Sequence, residues 1–334
     1  MKKRVTINDI ARETGVSRQT VSRAINGQNG ISASTREKVL KTVNELGFRP
    51  NRLAQGMANS QTHTIGLVIG SITNPAHAEV VSGIHDFAQA YNYNVFVRET
   101  HKEAIQELEA IQSLKAQRVD GIIIASSQVA SETLIDCADA EMPIVVVHRQ
   151  IVAPHISSIT TDIIRATKMV TNYLFGSMHT QIGLLTRPGD PNTIRHVQGY
   201  KSAFKERGLP CKDSWIVQAK PSLRGGYDAM RELLMNHPNL TAIFAYNDIM
   251  ALGAMKACSD LGYKIPQDVA VFGYDDVALA AFVTPTLSTV RFHSRYVGTL
   301  AAERLLAMIK QPDTTFPTLV VDTELIIRES TAMS

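Results

Sequence analysis

A chain of 334 residues exceeds what one ordinary core organises and points to two or three domains. With 44% hydrophobic and 19% charged residues the balance is globular, which excludes wholesale disorder, and no apolar run approaches the roughly 20 residues of a membrane helix. The net charge of +3 conceals an asymmetry: residues 1–60 carry 11 Lys and Arg against 4 Asp and Glu, the rest 23 against 27. A small cationic head on a mildly acidic body is the footprint of a nucleic-acid-binding module joined to something else.

The basic start Met1-Lys2-Lys3-Arg4 runs into polar Thr6-Ile7-Asn8-Asp9 instead of a signal core, so a cytoplasmic protein is expected. Residues 1–47 carry the pattern of three short helices. Thr6 caps the first, which ends near Gly15. Ser17 caps the second, with Thr20, Val21 and Ala24 inward and Asn26-Gly27 as its stop. Ser32 or Ser34 starts the third, with Val39, Leu40, Val43 and Leu46 at helical spacing. Residues 48–61 read as a hinge segment.

From residue 64 the pattern changes to strand–helix alternation. Strands are predicted at 65–69, 95–97, 121–124 and 144–147, with helices following Val80, at 103–117 and at 132–140. After Asp162 the alternation restarts. Helices at 164–176, 194–207, 223–236 and 248–261 separate strands at 182–185, 215–217, 242–244 and 269–272. Residues 287–291, a helix at 295–310 and strands near 318–328 close the chain. The fold predicted is a small all-α helix-turn-helix head (1–47) plus a two-lobed α/β core with parallel sheets (62–334). One lobe takes residues 62–161 and 292–320; the other takes 162–291 and 321–334.

The run Ile10-Ala11-Arg12-Glu13-Thr14-Gly15-Val16-Ser17-Arg18-Gln19-Thr20-Val21-Ser22-Arg23 fits a helix-turn-helix. Ala11 is small where two helices cross, Gly15 permits the turn, and Val16 and Val21 plug a small core. Arg18, Gln19, Ser22 and Arg23 then point outward, donor-rich side chains suited to base edges in a major groove or to nearby phosphates.

The chain resembles the LacI/GalR family of transcription regulators. The residues that carry the resemblance are Thr6-Ile7-Asn8-Asp9-Ile10-Ala11, Gly15-Val16-Ser17, Thr20-Val21-Ser22-Arg23, Leu46-Gly47-Phe48-Arg49-Pro50-Asn51, Asn74-Pro75, Asp120-Gly121-Ile122-Ile123, Asn247-Asp248, Met250-Ala251-Leu252-Gly253-Ala254 and Gly273-Tyr274-Asp275-Asp276. They spread over nearly the whole chain. The resemblance implies a periplasmic-binding-protein-like core and a homodimer that binds two-fold symmetric operator DNA under the control of a small carbohydrate-derived effector. It implies DNA contacts from Thr6, Ser17, Arg18, Gln19, Thr20, Ser22, Arg23, Asn26 and Asn51. A hinge helix would wedge Met57, where the family has Leu, into the minor groove. Gly56 disfavours helix by about 1 kcal/mol relative to Ala, so a hinge that orders only on DNA is expected. The chain stops soon after Ile327 with no leucine-heptad tail, which favours a dimer over a tetramer.

Ligands of open α/β sheets sit beyond the carboxyl ends of strands. The candidate effector residues are Ser71, Asn74, His77, His148, Arg149, Asp162, Arg195, His196, Asn247 and Asp275. Asn247 and Asp275 match family positions, and an amide with a carboxylate holds two vicinal hydroxyls. The chain departs from the family at four places. Ala76 follows Asn74-Pro75 where an aromatic is common, and His148 precedes Arg149 where many relatives have Asp. His196 replaces an Arg ahead of Gly199-Tyr200, and Asp162-Ile163 replaces Asp-Asn. Two histidines beside two arginines suggest an anionic effector, a sugar acid or sugar phosphate.

No catalytic constellation stands out. There is no His-Glu-x-x-His, no nucleophile elbow around Ser126, Ser127 or Thr193, and no phosphate loop. The cysteines Cys137, Cys211 and Cys258 form neither a disulfide framework nor a zinc knuckle, so neither metal nor cofactor is expected. A secreted solute-binding protein would need a signal segment. A sugar-acting enzyme would need a general base, for which His148 or Asp275 would have to serve.

Overall fold

The computed structural model describes residues 5–25, 27–48, 61–101 and 103–332. The chain divides into two compact units, residues 1–62 and 63–334.

The first unit holds helices α1 (Ile7–Thr14), α2 (Arg18–Ile25) and α3 (Ala33–Glu45). Thr6 opens α1, its backbone N–H and hydroxyl both donating to Asp9 at 2.9 and 2.7 Å. Gly15 closes the helix at φ 68°, a left-handed turn that strains any residue with a Cβ. The Ser17 hydroxyl accepts from the Thr20 N–H at 3.1 Å and starts α2, and Ser32 does the same for Thr35 at 3.2 Å. Ile10, Val21, Ala24, Val39 and Val43 form the core of the head. Leu40 and Leu46, expected inside, are exposed, and Thr14 and Thr42 are buried in their stead. Their hydroxyls bond the carbonyls of Ile10 and Lys38, four residues back, which removes the cost of burying them.

The second unit is built on two parallel sheets. The first runs β11-β5-β4-β3-β1-β2, with β1 at Thr64–Ile69, β2 Asn94–Glu99, β3 Ile122–Ala125, β4 Ile144–Val147, β5 Ile156–Thr161 and β11 Leu319–Val321. The second runs β7-β6-β8-β9, with β6 at Ile182–Thr186, β7 Ile216–Gln218, β8 Ala242–Ala245 and β9 Ala270–Phe272. A short antiparallel pair, β10 (Thr289–Arg291) and β12 (Glu324–Ile326), bridges onto the end of β9. Helices α4 (Pro75–Ala90), α5 (Ala104–Ala116), α6 (Ser131–Cys137) and α11 (Ser294–Lys310) belong to the first lobe. Helices α7 (Ile163–Gly176), α8 (Pro191–Arg207), α9 (Leu223–Asn236) and α10 (Asp248–Asp260) belong to the second.

Strands β1, β3, β4, β6, β8 and β9 are buried on both faces, in keeping with their predominantly apolar sequences. Strand β5 was not expected, because Ile156-Ser157-Ser158-Ile159-Thr160-Thr161 is polar. It is nevertheless buried throughout, between β4 and β11. The Ser158 hydroxyl exchanges bonds with the Ile151 backbone, and Ser157 accepts from Arg304, so these hydroxyls are satisfied without water.

Candidate functional site

Two sites follow from this architecture. On the head, Ser17, Arg18 and Gln19 are exposed at the start of α2, with Ser22 one turn on and half-buried. Val21 and Ala24 turn the opposite side of α2 into the core. Thr20 is half-buried and shares its hydroxyl with Ser17 at 2.9 Å, and the Thr6 hydroxyl is occupied by Asp9. Arg23, expected outward, is half-buried and lies back toward the loop before α3, its guanidinium beside Gly30. Asn26, Asn51 and Met57 lie outside the described residues.

In the α/β unit, a cavity opens between the two sheets. Most wall residues lie at or after the carboxyl ends of parallel strands, where such sheets present backbone and helix starts to ligands. From the first lobe come Asn74, Ala76 and His77 after β1, Ser126 after β3, His148 after β4 and Thr161 at the end of β5. From the second come Asn192 and His196 on α8, Tyr246 and Asn247 after β8, and Tyr274 and Asp275 after β9. Ile163 and Phe292 stand at two of the passages between lobes.

The polar groups are tied into the scaffold. Asn74 caps α4 by accepting from the Ala76 N–H at 3.0 Å, and Asn247 caps α10 by accepting from the Met250 N–H at 3.0 Å. Each leaves its amide NH₂ for another partner. His77 contacts the Ser71 carbonyl through Nδ1 at 3.0 Å. His148 sits at φ 66° with its ring edge-on to Phe292, centroids 5.0 Å apart. His196 is fully buried among Phe244, Tyr246 and Tyr274, with Nδ1 2.9 Å from the Thr167 hydroxyl. Burial pushes its pKa down to about 4 against the pull of Asp190, so at neutral pH this ring is an uncharged hydrogen-bonding group.

Six of the ten predicted effector residues therefore line one cavity: Asn74, His77, His148, His196, Asn247 and Asp275. Four do not. Ser71 serves His77 through its carbonyl. Asp162 is the cap of α7, accepting from the Arg165 N–H at 3.0 Å. Arg149 turns away to donate to the Val129 carbonyl and to the Ser131 hydroxyl at 2.9 Å. Arg195 is half-buried on α8, one position before His196 and outside the cavity lining. Missed were Ser126, Thr161, Ile163, Asn192, Tyr246, Tyr274 and Phe292. The aromatics had one usable signal, since each stands within two residues of the carboxyl end of a strand. Asn192 had none, because proline and an N-cap precede it in an ordinary helix start.

A helix-turn-helix head joined to a two-sheet body with a polar, aromatic-walled cavity defines a ligand-responsive DNA-binding protein. Residues 6–51 match the family model described as bacterial regulatory proteins, lacI family, and residues 62–328 match periplasmic binding proteins and the sugar-binding domain of the LacI family. Catabolite control protein A of Priestia megaterium is 36% identical over 320 residues, 95% of this chain and 96% of its own. The ribose operon repressor of Haemophilus influenzae is 33% identical over 326 residues, 97% and 98% of the two chains. The solved lac repressor dimer bound to operator and the anti-inducer ONPF superposes with a TM-score of 0.88 at 28% identity, covering 99% of this chain and all of that one.

The chain belongs to the LacI family. It is a sugar-responsive, DNA-binding transcription regulator and not an enzyme. Among the described residues no helix is long and apolar enough to cross a membrane.

Proposed function

We propose that this protein is a dimeric transcriptional repressor of the cytoplasm that is controlled by an uncharged sugar. Arg18, Gln19 and Ser22 read base edges of a two-fold operator, and Arg23 contributes to phosphate attraction. Thr6, Ser17 and Thr20 hold the helix ends against the backbone of the duplex. Asn74, His77, His148, Asn192, His196, Asn247 and Asp275 take sugar hydroxyls, while Tyr246, Tyr274 and Phe292 cover the C–H faces of the ring.

The observation that carries the uncharged reading is the charge of the lining: Asp275 is its one Asp, Glu, Lys or Arg. The anionic effector expected from the sequence needed Arg149 and Arg195 in the cavity, and His196 as a cation. With Arg149 bonded to the loop after β3 and His196 neutral by burial, the cavity lining offers a carboxylate or phosphate neither of the two arginines nor a His196 cation. The relatives named for a ribose operon and for catabolite control support carbohydrate chemistry.

The test is thermal shift of the full chain with neutral pentoses, hexoses and disaccharides beside the corresponding sugar acids and phosphates. Stabilisation by one or more neutral sugars is expected, rising with concentration as binding linkage requires. Stabilisation by the acids or phosphates alone would restore the anionic effector. Selection of bound duplexes from a random pool tests the other half, with recovered sites expected to show two-fold symmetry.

A further inference from the structure

The turn that carries Asp275 to the cavity has a backbone that its own residues disfavour. Asp275 takes φ 117° and Asp276 φ 53°, two successive positive angles on residues with a Cβ. Such conformations cost free energy and persist where the surroundings over-determine them. With glycine at neither position, the hold has to come from outside the turn.

It comes from three separate stretches of sequence. Asp248, the first residue of α10 and fully buried, grips both ends of the turn. Its backbone N–H donates to the Tyr274 carbonyl at 2.7 Å, and its Oδ2 accepts from the Val277 N–H at 2.9 Å. Its Oδ1 accepts from the Thr289 hydroxyl of β10 at 2.6 Å. The same hydroxyl oxygen accepts from the Asp276 N–H at 3.3 Å, and the Asp275 N–H donates to the Val290 carbonyl at 2.9 Å. Each backbone N–H from Asp275 to Val277 therefore has an acceptor outside the turn. The Asp276 carboxylate is taken up by two arginines, Arg291 through Nε and Arg328 through its guanidinium, both at 2.6 Å. Arg328 is anchored in turn on the Leu287 carbonyl at 2.7 Å.

The close approach of Asp248 is itself built in. A Cβ on Gly273 would stand 2.2 Å from Asp248 Oδ1, so the end of β9 admits the carboxylate only as glycine. A buried carboxylate is costly, and Asp248 does not line the cavity. The residues it ties together do line it. Asn247 precedes it in the chain, and Tyr274 and Asp275 sit at the other end of its backbone bond.

We propose that Asp248, with Thr289, is a positioning residue for effector binding: through the Tyr274–Val277 turn it sets the direction of the Asp275 carboxylate relative to the Asn247 amide, the pair that takes adjacent hydroxyls of a sugar. The inference rests on the reading of this cavity as the effector site. It puts a determinant of sugar affinity on two side chains outside the cavity wall. A carboxylate that served only the stability of the lobe would act on affinity independently of Asp275; a positioning group acts through it.

The experiment titrates the full chain calorimetrically with D-ribose and D-glucose. Thr289→Val keeps the shape and removes the hydroxyl, and is expected to weaken binding about tenfold, the scale of one hydrogen bond to a charged group. Thr289→Ser restores the hydroxyl and should stay within about twofold of the parent. Asp248→Ala should weaken binding at least as much as Thr289→Val, and Asp248→Asn, which still offers an oxygen to Val277, should recover part of that loss. In an Asp275→Ala background, Thr289→Val should change affinity by less than about twofold, since the group it positions is gone. Parent affinity in both Thr289→Val and Asp248→Ala, or a loss that persists in full without the Asp275 carboxylate, would overturn the proposal. Amide exchange at Asp275, whose N–H bonds the Val290 carbonyl and neither altered side chain, reads the turn with no sugar present. It should quicken in Thr289→Val, and unchanged protection there would also overturn the proposal. If neither sugar binds the parent, the effector reading fails for these sugars, and the exchange result still decides whether Asp248 and Thr289 hold the turn.

Discussion

Two buried side chains give the α/β unit opposite responses to pH. His196 titrates near 4 in the folded protein because burial disfavours its cation. Between its ordinary pKa of about 6.5 and that value, the unfolded chain takes up a proton that the folded one refuses. Stability therefore falls as pH drops through this window, by about 3 kcal/mol at the limit. Asp248 goes the other way. Burial pushes its pKa up to about 7, against the hydrogen bonds it accepts from Thr289 at 2.6 Å and the Val277 N–H at 2.9 Å. The unfolded chain releases that proton first, so the contribution of Asp248 is full below pH 4 and is lost as pH rises through 7. Melting temperature of His196→Gln should accordingly decline less than the parent between pH 6.5 and 4.5, and that of Asp248→Asn should decline less between pH 5 and 8. Parallel profiles for parent and variants would show that neither group is desolvated to this degree.

At the scale of elements, two helix pairs cross at glycines. A Cβ on Gly83 of α4 would sit 1.9 Å from the Arg295 carbonyl, and one on Gly298 of α11 would sit 2.1 Å from that of Val80. In the other lobe, Gly226 of α9 and Gly253 of α10 stand in the same relation, 2.1 Å from the carbonyls of Met250 and Leu223. The clashes fall on backbone, which cannot swing aside as a side chain would. Gly298→Ala and Gly226→Ala should each destabilise by roughly 1–3 kcal/mol or more, the cost of overpacking, measurable by urea denaturation. Gly176→Ala, with open space around its added methyl, is the control.

These glycines show what a sequence hides. Periodicity revealed the helices, and the caps Thr6, Ser17 and Ser32 revealed the starts of the three in the head, because those signals are local. Which helix face meets another backbone is not local, and neither was β5, whose serines and threonines read as loop until the neighbouring strands and Arg304 satisfied them. The cavity was legible where function sits directly after a strand, as at Asn74, His148, Asn247 and Asp275. It was not legible that Arg149 would turn to the segment after β3 and that Asp162 would cap its own helix.

For the whole molecule, the division of charge makes a prediction of its own. Binding through the cationic head releases counterions from DNA, so the logarithm of operator affinity should fall linearly with the logarithm of salt concentration. Arg18→Ala should cost about 1–3 kcal/mol on the best operator and relax preference at one base position. Arg36→Ala, a charge bonded to the Gln28 carbonyl at 2.6 Å, should leave base preference intact. A titration series over salt with both variants separates base reading from general attraction.

The backbone passes between the two sheets three times, from Thr161 to Ile163, from Arg291 to Ser294 and from Val321 to Glu324. Three short straps leave the halves almost no freedom except to pivot about the line the straps define. Severing one of them with a protease should leave both halves together and able to swing, since the other two still act as the axle. Joining the original ends and opening the chain at a single strap should give a rearranged protein of the same shape. Cutting a second strap should be the step at which the mouth ceases to open and shut along one path.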